Sequence, residues 1–360
     1  MKYQKLGSTG MHVSRISLGT MFYGGAQFKA TNYPIAPEVG KACIKRGLDV
    51  GINYLDCADI YGGYGGAEEI IGNVLKDYER ADVVISTKVH VPMSPKPNDR
   101  GLSRKHISES IKRSLKRLKT DYVDLYYCHR YDYSTPLVET VLSMNQLIEE
   151  GYILYWATSN WTAAQLERVH GLASGLGLHA PVCDQVQYNM FLRYGVEVEL
   201  PYTIDYTGLG VVAYRVLSAG LLSGRYNNSL QKNLTENDRQ TIEEYGGEIS
   251  STLDKFTKLN AFAEDLDLSL PQLAYVWVLQ NESVSTALMS TSKPERIEEN
   301  IQALDITLDA NQMNTIEEIL ANTPRAPKMY RHLAFGTYRN FLSEDPRAER
   351  GLYPPDPRVF

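Results

Sequence analysis

An alternation that runs almost the whole length of the chain restricts the fold more than any other feature. Short stretches rich in β-branched and aromatic residues are each followed by ten or more residues of helical periodicity, and the pair repeats. The β-type stretches are RISLG (15–19), INYLDCA (52–58), VVISTK (83–88), YVDLYYCH (122–129), ILYWATS (153–159), VCDQVQY (182–188), GVVAY (210–214) and VSTALM (284–289). Strands separated by helices must run parallel, because a parallel pair needs a crossover long enough to hold a helix. Eight such units favour a closed (β/α)8 TIM barrel over an open doubly wound sheet, and about 250 residues is typical for that barrel. The helical segments carry their own signals. In LSRKHISESIKRSLKRLK, Ile107, Ile111, Leu115 and Leu118 fall on one face. Thr162 with Gln165, Ser269 with Gln272, and Ser292 with Glu295 have capping-box spacing. Thr135-Pro136 puts proline at a helix start.

The chain has 360 residues, more than the barrel needs. The surplus fits an N-terminal β-hairpin (Lys2–Leu6, a GSTG turn, Val13–Ile16), a polar insertion at about 226–252 that reads as a surface loop, and a tail. We therefore expect one barrel domain over 1–324. Residues 325–360 form an extension that packs on the barrel or makes a subunit contact in a homo-oligomer. A net charge of −6 argues against nucleic acid or an anionic membrane as partner. The longest apolar runs fall well short of the ~18 residues of a membrane span, and MKYQKLGSTG has no apolar core of a secretion signal. The four cysteines lack any C-x-x-C spacing and read as reduced, buried thiols of a cytoplasmic protein. The seven histidines show no ligand spacing, so no metal is expected. One count stands out, 25 Tyr against 8 Phe, since each Tyr adds a hydroxyl to its ring.

In such a barrel the C-terminal ends of the strands face a common site. Asp56 stands at one such end, with Tyr61 in the loop beyond it; Lys88, His129, Ser159 with Asn160, Gln187 and Tyr214 stand at the next five. The steps 56→88→129→159→187→214 are 32, 41, 30, 28 and 27 residues, each about one βα unit. The residue types belong together. A phenol titrates near 10 and is a poor acid at neutral pH. An ammonium held by a carboxylate would favour its phenolate, so Asp56, Lys88 and Tyr61 form a proton relay that His129 can orient or assist. Asn160 and Gln187 offer amides suited to a carboxamide, and Tyr214 offers a stacking face. A carboxamide on a flat ring describes nicotinamide, which implies hydride transfer to a carbonyl carbon with proton delivery to its oxygen.

These residues lie in motifs that resemble the aldo-keto reductase superfamily, in the branch that includes potassium-channel β subunits. The matching stretches are LGTM (18–21), INYLDCADIYG (52–62), STK (86–88), RGLSRKHI (100–107), DLYYCHR (124–130), YWATSNW (155–161), DQVQYNMF (184–191), VEVELP (196–201), GLLSGRY (220–226) and KPERIEEN (293–300). The resemblance implies that Tyr61 is the general acid of a tetrad completed by Asp56, Lys88 and His129. It implies that Thr20, Met21, Asp56, Ser159, Asn160 and Gln187 hold the nicotinamide end, with Tyr214 stacked on the ring. Arg215, Leu217, Ser218, Gly220, Leu221, Ser223 and Arg225 would wrap the pyrophosphate. Ser292, Arg296, Glu299 and Asn300 would take the adenosine and any 2′-phosphate, where a helix N-terminus suits an anion.

The chain departs from the family in three places. Arg215-Val216-Leu217 replaces Ser-Pro-Leu, Ser290 stands where relatives carry Gly or Lys, and His129 stands where channel subunits tend to carry Asn. With Arg296 retained and Arg225 and Arg239 nearby, NADP(H) is expected over NAD(H). Met21, Tyr23, Tyr131 and Trp161 follow strand ends and are expected to line the pocket for a small carbonyl or alcohol substrate. The alternative function is a cofactor-bound regulatory or redox-sensing subunit with weak reductase activity; a Schiff base on Lys88 is a more distant reading. Cys57 and Cys128 read as buried rather than as a redox switch. The basic run Lys112–Lys119 reads as a solvated helix face. GLGVVA (208–213) enters a strand and opens no helix, so it is no dinucleotide fingerprint.

Overall fold

The computed structural model describes residues 1–24, 34–226 and 234–324. The tail 325–360 and residues 227–233 of the insertion lie outside them. Two short antiparallel strands, β1 (Tyr3–Lys5) and β2 (His12–Ser14), form the N-terminal hairpin. Eight parallel strands then close into a barrel: β3 (Ile16–Gly19), β4 (Tyr54–Asp56), β5 (Val84–Val89), β6 (Val123–Cys128), β7 (Ile153–Ser159), β8 (Cys183–Gln187), β9 (Gly210–Tyr214) and β10 (Val284–Met289). They follow one another around the barrel in chain order, and β10 pairs with both β9 and β3. Helices lie between the strands, as the alternation requires.

The strand period of two decides what fills the barrel. Tyr54, Val84, Leu125, Tyr127, Ala157, Cys183, Val212 and Leu288 point inward, and Leu6 and Val13 of the hairpin join them. The hairpin plugs the end opposite the strands' C-termini. Gly7 permits this, with φ +55°; a Cβ there would meet Gly210 N at 2.5 Å and Gly208 O at 2.6 Å. The outward faces pack on the helices, and Ile107, Ile111, Leu115 and Leu118 are all buried under the helix Arg104–Leu118.

Two of the inward tyrosines do more than fill space. The Tyr54 and Tyr127 hydroxyls bond at 2.9 Å, Tyr54 also donates to Ser86 Oγ at 3.2 Å, and Ser86 donates to Asp56 Oδ1 at 2.9 Å. A hydrogen-bonded chain thus climbs from the barrel centre to the strand ends. The excess of tyrosine over phenylalanine is accounted for here in part, since a Phe could not continue it.

Several local expectations hold. Ser103 caps its helix by accepting from His106 N, and both Thr162–Gln165 and Ser269–Gln272 form reciprocal capping boxes. Others need correction. Ser292 is exposed and caps nothing, because the helix Glu295–Gln302 begins only after Pro294. Pro136 sits at the cap of the helix Leu137–Glu149, one position before its first turn. The insertion is not loop throughout: Thr235 and Asp238 make a capping box for the helix Glu236–Gly246, and Ile249 opens the helix Ile249–Asp265. Ile242 and Phe256 are buried beneath these helices, anchors too sparse to show as a clear period. Among the described residues no helix is long and apolar enough to cross a membrane.

Candidate active site

β4 and β5 bring Asp56 and Lys88 together at the C-terminal end of the barrel. Lys88 Nζ lies 2.8 Å from both Asp56 oxygens and 2.6 Å from the Cys57 carbonyl. Those three acceptors match the three protons of an ammonium. Asp56 is equally well supplied, since its Oδ1 also accepts from Ser86 and from Gln185 Nε2, the latter at 2.8 Å. Both residues are buried, so this is an ion pair removed from water and satisfied by hydrogen bonds on every side.

Tyr61 lies over this pair, with Lys88 Nζ 4.8 Å from its ring centroid. His129 meets the ring edge-on at 5.8 Å and 80°. The loop that places Tyr61 turns at Gly62, whose φ of +66° and 2.3 Å virtual Cβ contact with the Tyr23 carbonyl leave no room for a side chain. The four tetrad residues therefore meet as the strand-end series requires.

The electrostatics differ from the simple relay. Burial, and after it the Asp56 carboxylate, push the Tyr61 phenol well above its ordinary range, and the opposing pull comes from Arg130. The Lys88 charge is already taken up by Asp56 and the Cys57 carbonyl. Tyr61 is consequently a firmly protonated phenol. Burial and then the neighbouring Lys88 and Arg130 cations hold His129 well below its usual value, so its imidazole is neutral. Its Nδ1 is buried and has no hydrogen-bond partner among the described residues.

The neighbouring strand ends carry the amides and hydroxyls. Thr20 donates through both N and Oγ1 to the Asp56 carbonyl, at 3.0 and 2.9 Å, and so binds β3 to β4. Ser159 donates to the Gln185 carbonyl at 3.1 Å, and Asn160, at φ +55°, donates to Ser159 Oγ at 2.9 Å. Tyr214 donates to Asn160 Oδ1 at 3.0 Å. Gln187 ends β8 with its Nε2 unpartnered among the described residues. Gln185 was missed in the sequence. It shares the inward face with Gln187 and sits one step deeper, where it reaches Asp56.

Beyond Tyr214 the backbone is strained. Arg215, Ser218 and Ala219 have φ between +48° and +54°, and Gly220 has φ +95°. Left-handed non-glycine residues are costly, and several in one loop persist only where the surrounding structure holds them. Ser218 Oγ is buried without a partner among the described residues, and Asn189 Nδ2 bonds the Arg215 carbonyl at 3.0 Å. Leu221 is buried, while Leu217 and Ser223 are half-buried. Arg225 instead pairs with Asp238 at 2.6 Å, which ties the loop to the helix Glu236–Gly246; both Arg225 and Arg239 are exposed. Ser292, Arg296 and Glu299 are exposed; Asn300 is buried and donates to Met289 Sδ at 3.3 Å.

Among the expected pocket residues Tyr131 and Trp161 do meet, edge-on at 4.8 Å, and Met21 is half-buried beside the strand ends. Tyr23 does not belong with them. It is fully buried, packs on Gly40, and donates to the Thr291 carbonyl at 2.9 Å, because the chain after β3 turns down over the helix Pro37–Asp49. Cys57 and Cys128 are fully buried, and burial pushes both thiols up, away from the reactive thiolate. On the basic helix, Arg113 and Arg117 pair with Asp99 and Glu68. Among the described residues no cluster of His, Cys, Asp and Glu could hold a metal ion.

Comparison with known proteins agrees with this geometry. A sequence profile described as "Aldo/keto reductase family" matches residues 15–321. The chain belongs to the aldo/keto reductase family. It is thereby an NAD(P)H-dependent oxidoreductase on a (β/α)8 barrel. Its curated relatives include a "Probable voltage-gated potassium channel subunit beta" of Arabidopsis thaliana, 37% identical over 340 residues, covering 92% of this chain and all of the relative. A protein of the same description from Oryza sativa subsp. japonica is 38% identical over 341 residues, with the same coverage.

One buried carboxyl behind the Tyr61 loop has a consequence for pH. Asp59 accepts from Ser110 Oγ at 3.0 Å, its Oδ1 has no partner among the described residues, and burial beside Glu68 pushes it up to about 8. The folded protein thus holds a proton that the unfolded chain releases near pH 4. Wild-type stability should fall as pH rises from about 4 to about 8 and then level off. Asp59→Asn cannot titrate, so its stability relative to wild type should rise by about 3–4 kcal/mol between pH 5 and pH 9. Guanidinium melts at the two pH values measure this, and a difference independent of pH would exclude the shifted carboxyl.

Proposed function

We propose that the protein reduces an aldehyde or ketone to the alcohol, reversibly, with NADPH as the preferred cofactor and Tyr61 as the proton donor. The observation that carries this reading is the Lys88–Asp56 ion pair lying directly beneath the Tyr61 ring with neutral His129 at its edge.

The residues around the tetrad fit a nicotinamide dinucleotide. Among the described residues Gln187 Nε2 and Ser218 Oγ are buried polar groups without a partner, and the loop that follows Tyr214 holds Arg215, Ser218, Ala219 and Gly220 at positive φ. In this reading Ser159, Asn160 and Gln187 hold the carboxamide and Tyr214 lies against the ring. Residues Arg215 to Ser223 follow the pyrophosphate, and Arg296 with Arg239 favours a 2′-phosphate. Hydride for the carbonyl carbon is supplied by the nicotinamide when it is bound.

The rest is the work of the protein. The Tyr61 hydroxyl gives its proton to the carbonyl oxygen as negative charge develops there. A developing alkoxide is far more basic than a phenolate, so a phenol held above its ordinary range still transfers downhill. Lys88 steadies the phenolate that remains, and Asp56 keeps Lys88 in place. Neutral His129 can hydrogen-bond the carbonyl oxygen without competing for the proton.

The test is direct. Purified protein mixed with NADPH and a panel of aliphatic and aromatic aldehydes should deplete the reduced-nicotinamide absorbance, more slowly with NADH. Absence of turnover across the panel would overturn the reading in favour of a second one, a cofactor-bound regulatory subunit, which the channel-subunit description of the relatives supports.

A further inference from the structure

The strand-end series contains a cation that neither the tetrad nor the cofactor residues use. Arg130 follows His129 directly and is exposed at the mouth of the site. Its guanidinium is nonetheless held. Nη1 donates to the His129 carbonyl at 2.6 Å and to Ser159 Oγ at 3.4 Å. A guanidinium has five N–H donors in a rigid fork. With Nη1 occupied, the edge formed by Nε and Nη2 remains, and among the described residues it meets no acceptor.

Two of the nearby carboxylates are committed elsewhere. Asp132 accepts from Leu102 N, from Ser134 N and Oγ, and from Thr135 Oγ1, at 2.6 to 2.9 Å, which closes its own turn. Asp56 is saturated by Lys88, Ser86 and Gln185. Asp184, buried on β8, also feels the Arg130 charge, but among the described residues the two make no ion pair, and the Nε–Nη2 edge stays open at the mouth. The positive charge of Arg130 is felt at the reacting groups, since it draws the Tyr61 phenol down and helps keep His129 unprotonated. Beside it Tyr131, Trp161 and Tyr133 stack edge-on at 4.8 and 4.9 Å and form an aromatic flank.

We propose that Arg130 is an anion subsite, and that the substrate class is carbonyl compounds carrying a carboxylate, with the aromatic flank covering the carbon frame between the two groups. This rests on the reductase reading above. The free edge of the guanidinium matches a carboxylate in two parallel charge-assisted hydrogen bonds, a geometry that an ester or amide cannot supply.

The experiment compares para-carboxybenzaldehyde with methyl para-formylbenzoate, in which a methyl ester replaces the charged carboxylate. With NADPH, wild-type kcat/KM should favour the acid about 10- to 100-fold, mostly through KM. Arg130→Met should collapse that ratio to near one, whatever the change in absolute rate, and Arg130→Lys should recover part of it. A wild-type ratio of one or less, or a ratio unchanged in Arg130→Met, would overturn the subsite. Calorimetric titration of para-(hydroxymethyl)benzoate and its methyl ester into the NADP-loaded protein separates the two readings. Tighter binding of the acid, lost in Arg130→Met, supports the subsite even if neither aldehyde is turned over, in which case the reductase reading alone has failed. Equal binding of acid and ester overturns the subsite.

Discussion

Tyr61→Phe should lower kcat/KM for aldehyde reduction by about 10²- to 10⁴-fold, the range for losing a positioned general acid. The substitution removes one oxygen and leaves the ring that lies over Lys88 and against His129. Nothing in the packing of the site depends on that hydroxyl, since it makes no hydrogen bond within the described residues. Cofactor affinity and thermal stability should therefore stay close to wild type while turnover falls. Steady-state kinetics, fluorescence titration with NADPH and a thermal melt, made on one preparation, check all three. A variant that turns over as fast as wild type would remove Tyr61 from the reaction.

Lys88→Met should be the most damaging substitution for the fold and for activity at once. It leaves the Asp56 carboxylate buried with Ser86 and Gln185 as hydrogen-bond partners and no positive charge. Removing one member of a buried ion pair typically costs about 3–5 kcal/mol, because the other charge stays out of water uncompensated. The double variant Asp56→Asn/Lys88→Met removes that charge as well and should regain most of the stability without regaining turnover. Denaturant melts and NADPH-dependent rates on the single and double variants distinguish the two effects. If Lys88→Met melts like wild type, the pair is not the buried, satisfied bridge described above.

Both predictions concern residues that were legible in the sequence. Asp56, Lys88, His129, Ser159 and Tyr214 stood out because a βα unit has a characteristic length and each lies where one strand ends. Tyr61 followed from its place in the loop after Asp56. Their meeting within hydrogen-bonding and ring-contact distance follows from barrel closure. Other residues were less legible for identifiable reasons. Gln185 and Gln187 lie two apart on one inward face, so only the register of β8 against its neighbours shows which reaches Asp56. Tyr23 had the spacing of a pocket residue, but the chain turns away after Thr20 and buries it under a helix. The helices at 236–246 and 249–265 carry few buried anchors, and a helix that packs along a narrow stripe has a weak period.

Charge state was the least legible property. The sequence placed an ammonium beside a phenol and suggested a lowered phenol. In the folded chain Lys88 spends its protons on Asp56 and the Cys57 carbonyl, and burial of the ring raises Tyr61 instead. Arg130 was a letter in a matching motif, and its position at the mouth emerged only when Nη1 was seen to hold the His129 carbonyl and Ser159.

By itself the sequence determined the closed barrel, the hairpin and the ring of polar strand ends, since alternation, helix spacing and unit length are local and repeat eight times. Only the tertiary structure decided which donor meets which acceptor and which charges remain free. Hydrogen bonds depend on register to a fraction of a residue, and the energy of a charge depends on everything that surrounds it.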